Sequence, residues 1–246
     1  MVDAGEGANL VAGPVWQETQ KALISDSPAV IIRGLRDCGA LAVLYPEVDC
    51  LFGIPQPPRH HPEIDSGEHV LLAMDQAVGL ECNLAERFAV LVHDLGKGLT
   101  PAAELPRHRG HEEAGVPLVE ALCERLRVSS ECRDLARAVT RYHLHCHRIR
   151  ELRASSILVL LEGLDAFRRP ARLDSFLKAC EADYRGRLGL ADRAYPQAAF
   201  LRDCLQRCQA LSADAFIERG LTGPAIGEAI HRARIAAIQT GIDTQP

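Results

Sequence analysis

The chain has 246 residues, 47% hydrophobic and 25% charged, enough apolar material for one large or two small domains. Its formal net charge of −5 excludes a global basic field for nonspecific nucleic-acid binding, and no segment approaches the roughly 18 uninterrupted apolar residues of a membrane span. Nine scattered cysteines without a Cys-x-x-Cys pair argue for reduced thiols rather than a disulfide framework, and the acidic Gly/Ala-rich start, Met1 to Gly13, lacks the regions of a secretion signal, so a soluble cytoplasmic protein is expected.

Apolar spacing is helical almost throughout, strand-like alternation of useful length is missing and aromatic content is 4%, so the expected fold is all-α. Helices are predicted near 15–24, 28–39, 66–79, 84–95, 112–127, 130–146, 155–167, 171–184, 196–210 and 224–239. The run Pro55-Gln56-Pro57-Pro58, followed by Arg59-His60-His61-Pro62, reads as a linker, and a weaker boundary falls between Gly186 and Tyr195. The expected division is therefore 1–58, a small helical piece with its linker; 59–190, the histidine-bearing domain; and 191–246, tail helices.

Nine of the ten histidines fall between His60 and His147. Asp65 and Glu68 have capping-box spacing, which puts His69 in the first turn of a helix carrying Val70, Leu71, Met74, Ala77 and Val78. The most informative stretch follows, Leu91-Val92-His93-Asp94-Leu95-Gly96-Lys97-Gly98. His93 and Asp94 lie about 100° apart on a helix of 3.6 residues per turn, where one cation can reach both. Gly96 reads as the C-terminal cap, and Lys97 as an ammonium projecting from the turn toward an anionic substrate. Alone, this tetrad is also what a helix end with a basic last turn looks like, which the helix dipole favours.

The later histidines give it context. His111 opens the helix of Val119, Leu122, Cys123 and Leu126, and His143 lies four residues after Val139, on the apolar face of its helix. Asp183 shares the buried side of the helix of Leu173, Phe176, Leu177 and Cys180, where an uncompensated carboxylate is costly. His69, His93, Asp94 and Asp183 thus form a candidate divalent-metal set of two imidazoles and two carboxylates, which does not choose among Mn, Ni, Co, Zn and Mg. His111 and His143 fit a second metal position or a substrate phosphate, and each taken alone fits a structural histidine equally well.

In this order, His69, then His93-Asp94, then Asp183, the chain resembles the HD superfamily of metal-dependent phosphohydrolases. More narrowly, His61-Pro62-Glu63-Ile64-Asp65-Ser66-Gly67-Glu68-His69, His93 to Pro101, Leu105 to Glu112 and Glu181 to Arg187 resemble the C-terminal half of the bacterial multifunctional CCA-adding tRNA nucleotidyltransferases. Trp16-Gln17-Glu18, Arg36 to Leu41 and Tyr45-Pro46-Glu47-Val48 look like that family's neck and body helices, and Tyr195-Pro196-Gln197 and Arg234 to Ile238 like its tail. The resemblance implies an HD-domain helical bundle, a nickel- or magnesium-type cation, and hydrolysis of 2′,3′-cyclic nucleotides, 2′-nucleotides and related phosphoesters. It also implies tRNA or an RNA 3′ end as partner, with clearing of damaged ends as a task. A nucleotide-adding head needs an Asp-x-Asp pair for two metal ions. None occurs, so nucleotide addition by this chain alone is not expected; a fragment of a longer enzyme and a free-standing relative stay open.

The expected chemistry is a metal-activated water attacking phosphorus, with Lys97 offsetting charge on the non-bridging oxygens and Asp94 as ligand and proton acceptor. His111 or His143 protonates the leaving oxygen. Arg185 and Arg187 flank Asp183 and fit phosphate contacts, an ion pair to Asp183 being the simpler account of Arg187. Two rivals stay open: a non-catalytic tRNA-binding module, which predicts affinity without turnover, and an HD hydrolase of deoxynucleoside triphosphates or alarmones. For tRNA contacts, Arg148, Arg150, Arg153, Arg168, Arg169, Arg232 and Arg234 are candidates, though each also reads as a solvated face. Cys204 and Cys208 read as small buried hydrophobes.

Overall fold

A computed structural model describes residues 12–244. The chain folds into thirteen α-helices among these residues, with no strand beyond one isolated bridge between Pro55 and Asp65. It divides into two compact units, Met1–Leu144 with Ser175–Ala194, and His145–Asp174 with Tyr195–Pro246. Among the described residues, no helix is long and apolar enough to cross a membrane.

The first unit begins with α1 (Ala12–Ile24), α2 (Pro28–Asp37), α3 (Ala40–Leu44) and α4 (Pro46–Asp49). Two short helices, α3 and α4, lie where no periodic signal predicted them. The histidine-bearing elements follow: α5 (Ser66–Gly79), α6 (Leu84–Val92), α7 (His111–Leu126) and α8 (Ser130–His147). Every residue of α6 from Ala85 to Val92 is buried, which makes it the central helix of the unit, and Trp16 of α1 stacks edge-on against Phe88 at 5.3 Å. Its two charged residues are satisfied locally. Asn83 and Glu86 close a capping box, and the Arg87 guanidinium donates to the carbonyls of Cys82, Leu23 and Ser25.

Asp65 caps α5 through the amides of Gly67 and Glu68. The expected box does not close, because the Glu68 carboxylate is held by a bidentate pair from Arg33. The Pro-rich segment read as a linker carries backbone pairing: the Gln56 amide donates to Ile64 O at 2.6 Å, and Gln56 is 1% exposed.

The second unit holds α9 (Ala154–Gly163), α11 (Pro196–Gln209), α12 (Asp214–Ile217) and α13 (Pro224–Asp243), with α10 (Ala171–Arg185) contributing its first turn there and the rest to the first unit. Its core is Ile157, Leu158, Leu161, Phe200, Leu201 and Ile238. Cys204 and Cys208 sit in this core without a disulfide, and burial pushes the Cys204 thiol up to about 12, as expected for packing residues.

Candidate metal centre

Six residues from five places in the first unit converge. His69 comes from α5, His93 and Asp94 from the end of α6, His111 from the first turn of α7, His143 from α8 and Asp183 from α10; none is more than 5% exposed. The last helical residue of α6 is Val92, and the chain then enters a 3-10 helix, Leu95–Leu99. His93 and Asp94 therefore sit at the junction rather than on continuing helix, with His93 Nε2 3.1 Å from Asp94 Oδ2.

One pattern governs the histidines. Nδ1 of His69 faces Gly186 O (3.2 Å), that of His93 faces Val90 O (2.7 Å), that of His111 faces His108 O (2.7 Å), and that of His143 faces Val139 O and Thr140 O (3.0 and 3.1 Å). A carbonyl oxygen only accepts, so each Nδ1 carries a proton and each Nε2 is the ring atom left to offer a lone pair to a metal once no second proton occupies it. All four Nε2 atoms face the two carboxylates. His69 Nε2 is 3.0 Å and His93 Nε2 3.6 Å from Asp183 Oδ1; His111 Nε2 is 3.2 Å and His143 Nε2 3.6 Å from Asp94 Oδ1.

Nε2 atoms thus point at carboxylate oxygens, an arrangement that needs positive charge among them, a proton or a metal ion. Buried His93 Nε2, His111 Nε2 and Asp94 Oδ1 accordingly have no hydrogen-bond partner among the described residues. Ligands about 2.1 Å from a shared cation sit roughly 3.0–3.4 Å from one another, close to most of these spacings. The donor set fits a divalent metal. Asp94 spans two groups, its Oδ2 toward His69 and His93 and its Oδ1 toward His111 and His143.

Electrostatics agrees. Burial pushes the His93 imidazole down, yet attraction to Asp94 and Asp183 outweighs it and raises the group to about 10. Asp94 is likewise penalised by burial but is held well below the carboxylate range by His93 and Lys97. Lys97 reaches the site from the turn. It is 5% exposed, and its ammonium lies 2.6 Å from Asp94 Oδ2 and donates to Gln56 Oε1, because the 3-10 turn directs it inward. Gly96 also differs from its expected role as helix cap. A Cβ there would stand 2.0 Å from His111 O and 2.7 Å from Gly115 N, so this glycine permits the turn to lie against the backbone of α7. Gly186 similarly lets the end of α10 touch Ala73 of α5, beside His69.

Arg185 pairs with Glu181 of its own helix at 2.6 Å, and the Arg187 guanidinium lies 5.1 Å over the Tyr184 ring. Neither is placed among the six by these contacts.

Sequence reasoning missed Glu63, Gln56 and, as part of the site, His61. The Glu63 carboxylate accepts from His61 Nδ1 at 2.9 Å and from the Leu188 amide at 3.2 Å, and lies 3.0 Å from His69 Nδ1. It therefore fixes the ring whose Nε2 faces Asp183. The spacing of Glu63 six residues before His69, in a non-helical turn, carries no periodic signal; the crowding of histidines around it was the available clue. Replacing Glu63 with glutamine is expected to weaken divalent-metal binding about 10–100-fold while the fold persists, as seen when partners of ligating histidines are lost, with calorimetric titration as the check.

The metal-free protein is expected to be most stable near pH 6.5. His61, pushed down to about 4 by burial and by the Lys97 charge, stays neutral in the fold while an unfolded histidine protonates near 6.5. Acidification across that interval therefore favours unfolding, by about 3 kcal/mol at its end. His93 keeps its proton up to about 10 whereas the unfolded chain releases it near 6.5, so alkalinisation also favours unfolding. Urea midpoints measured in chelator across pH 4–10 check this; added metal, replacing the His93 proton, is expected to remove the alkaline loss.

Comparison with known proteins places this geometry. Residues 67–169 match the HD domain family, a span holding His69, His93, Asp94, His111 and His143. The chain is 56% identical over 239 residues to the Multifunctional CCA protein of Thioalkalivibrio sulfidiphilus, and 58% identical over 238 residues to that of Alkalilimnicola ehrlichii. With the Pseudomonas aeruginosa PAO1 protein of the same name it shares 49% over 239 residues. Each match covers 97% of this chain and 58% of the relative.

Proposed function

Because the chain belongs to the multifunctional CCA protein family, which it matches over 97% of its own length, and carries an HD domain, we propose that it is a divalent-metal-dependent phosphoester hydrolase acting on 2′,3′-cyclic phosphodiesters and 2′-nucleotides. The observation that carries this reading is the convergence of four Nε2 atoms on two buried carboxylates, all four Nδ1 atoms being tied to carbonyls. His69, His93, Asp94 and Asp183 hold the ion in this proposal, and the catalytic segment is 59–190. Nickel, manganese, cobalt and magnesium are the candidates.

The bound metal would lower the pKa of a water molecule, in favourable cases to near 7, and polarise the phosphoryl oxygen. Asp94, held ionised by Lys97, accepts a proton through an oxygen it does not share with that lysine; Oδ1 lies toward His111 and His143. That proton passes from Asp94 Oδ1 to Nε2 of His111, at the first turn of α7, or of His143, which delivers it to the departing ribose oxygen. Lys97 acts mainly through Asp94 and adds positive charge near the reacting phosphate. Arg187 or Arg185 contacts the substrate only after leaving its present partner. Resemblance to the CCA-adding enzymes directs the substrate toward the 3′ end of tRNA.

The test is hydrolysis of 2′,3′-cyclic AMP by chelator-stripped protein supplied in turn with nickel, manganese, cobalt and magnesium. Turnover that depends on one of these ions supports the proposal; a folded, inactive protein that retains tRNA affinity would replace it with a binding module.

A further inference from the structure

The Leu105 to Glu112 stretch has a use that the hydrolytic centre does not absorb. A cavity of ≈ 600 Å³ is lined by Ala103, Glu104, Leu105, Pro106, Arg107 and Arg109. Both arginines are exposed, and neither has a carboxylate partner among the described residues. Within the first unit Arg33 is paired with Glu68, Arg125 with Glu47, Arg137 with Glu120 and Arg141 with Glu113, whereas Arg107 and Arg109, like Arg59 and Arg127, have no such pair among the described residues, and of these only Arg107 and Arg109 line this cavity. Glu104 shares the lining but makes no ion pair with either guanidinium.

The loop is held in place. His108, between the two arginines, donates from Nε2 to Pro55 O at 3.0 Å and accepts the Thr100 hydroxyl at Nδ1 at 2.8 Å, while its own carbonyl receives His111 Nδ1 at 2.7 Å. The Arg107 amide bonds to Glu104 O at 2.9 Å. The backbone that bears these two unpaired cations is thereby held next to the segment that carries His111 to Asp94. Guanidiniums so placed recognise non-bridging phosphate oxygens.

We propose that Arg107 and Arg109 form an anion subsite that holds a backbone phosphate of an RNA strand whose 3′-terminal phosphoester enters the metal centre. The inference deepens the proposed hydrolase reading and rests on it for the identity of the strand. It makes the chain select RNA ends over free nucleotides.

The experiment is fluorescence anisotropy with a 5′-fluorescein single-stranded RNA heptamer ending in a 3′-phosphate, in EDTA so that turnover plays no part. Wild type is compared with the Arg107→Ala/Arg109→Ala protein over a range of salt. The variant is expected to bind at least about tenfold more weakly at low salt, with the slope of log affinity against log salt reduced by about 0.7, the share of the one phosphate left without its arginines. Unchanged affinity and slope overturn the subsite. So does an equal loss in an Arg133→Ala/Arg137→Ala protein, which removes the same charge from guanidiniums already paired with Asp134 and Glu120. Weaker inhibition of RNA binding by pyrophosphate than by unlabelled RNA supports a strand over a free polyphosphate; the reverse order contradicts it. RNA binding lost in the variant, with no metal giving hydrolysis in wild type, leaves the subsite standing and removes the hydrolase reading.

Discussion

An Asp94→Asn protein is expected to hydrolyse 2′,3′-cyclic AMP at least about 1,000-fold more slowly than wild type at saturating metal. A metal ligand that stabilises transition-state charge is worth several kcal/mol, and each 1.36 kcal/mol is a factor of ten in rate. The Asp94 carboxylate lies within 4 Å of all four histidine Nε2 atoms and of the Lys97 ammonium. The amide keeps the volume but removes the charge, so the Lys97 cation loses its buried counter-ion. Metal affinity, measured by calorimetry, is expected to fall together with kcat, whereas a group acting in proton transfer alone would lower kcat and leave affinity intact. Circular dichroism on the same samples separates a lost site from a lost fold.

The second large effect concerns Gly96. Substitution by alanine would set a Cβ 2.0 Å from His111 O, 2.7 Å from Gly115 N and 2.9 Å from His111 C, all backbone atoms that no rotamer change relieves. The 3-10 turn must move away from α7, at a cost of about 3 kcal/mol by the measure of overpacked cores. For a protein of this size that lowers Tm by about 6–12 °C. The shift also carries Asp94 and Lys97 away from His111, so activity is expected to fall more than stability alone accounts for. Gly34, exposed in α2 with nothing within 4 Å of a built Cβ, is the control. Its alanine variant is expected to be about 0.5–1 kcal/mol more stable, because alanine is the better helix former. Thermal melts of the two variants side by side decide the point.

Much of the architecture was legible because helix periodicity reports which side of an element is buried. Val139 predicted that His143 points inward, and Phe176 and Cys180 did the same for Asp183; the structure buries both residues beside Asp94 and His69. Periodicity fails where the chain is irregular. Gln56 and Glu63 lie in the Pro-rich segment between α4 and α5, and only the folded chain brings them to Lys97 and His69. Gly96 departs from its reading as a cap for a related reason: a glycine after a helical run suits a cap and a close backbone crossing equally until the crossing helix is known. The Glu68 carboxylate was similarly claimed by a residue distant in sequence, Arg33, in preference to the local cap. Short helices such as α3 and α12, of five and four residues, carry too few apolar positions to show a period.

The central claim is that these histidines and carboxylates together hold a divalent ion. Equilibrium dialysis of chelator-stripped protein against nickel at neutral pH, with bound metal counted per folded chain, tests it most directly. At least one tightly held ion per wild-type chain, lost in the Asp94→Asn protein, is expected; a folded wild-type chain that binds none, or an Asp94→Asn chain that binds as much, would contradict it.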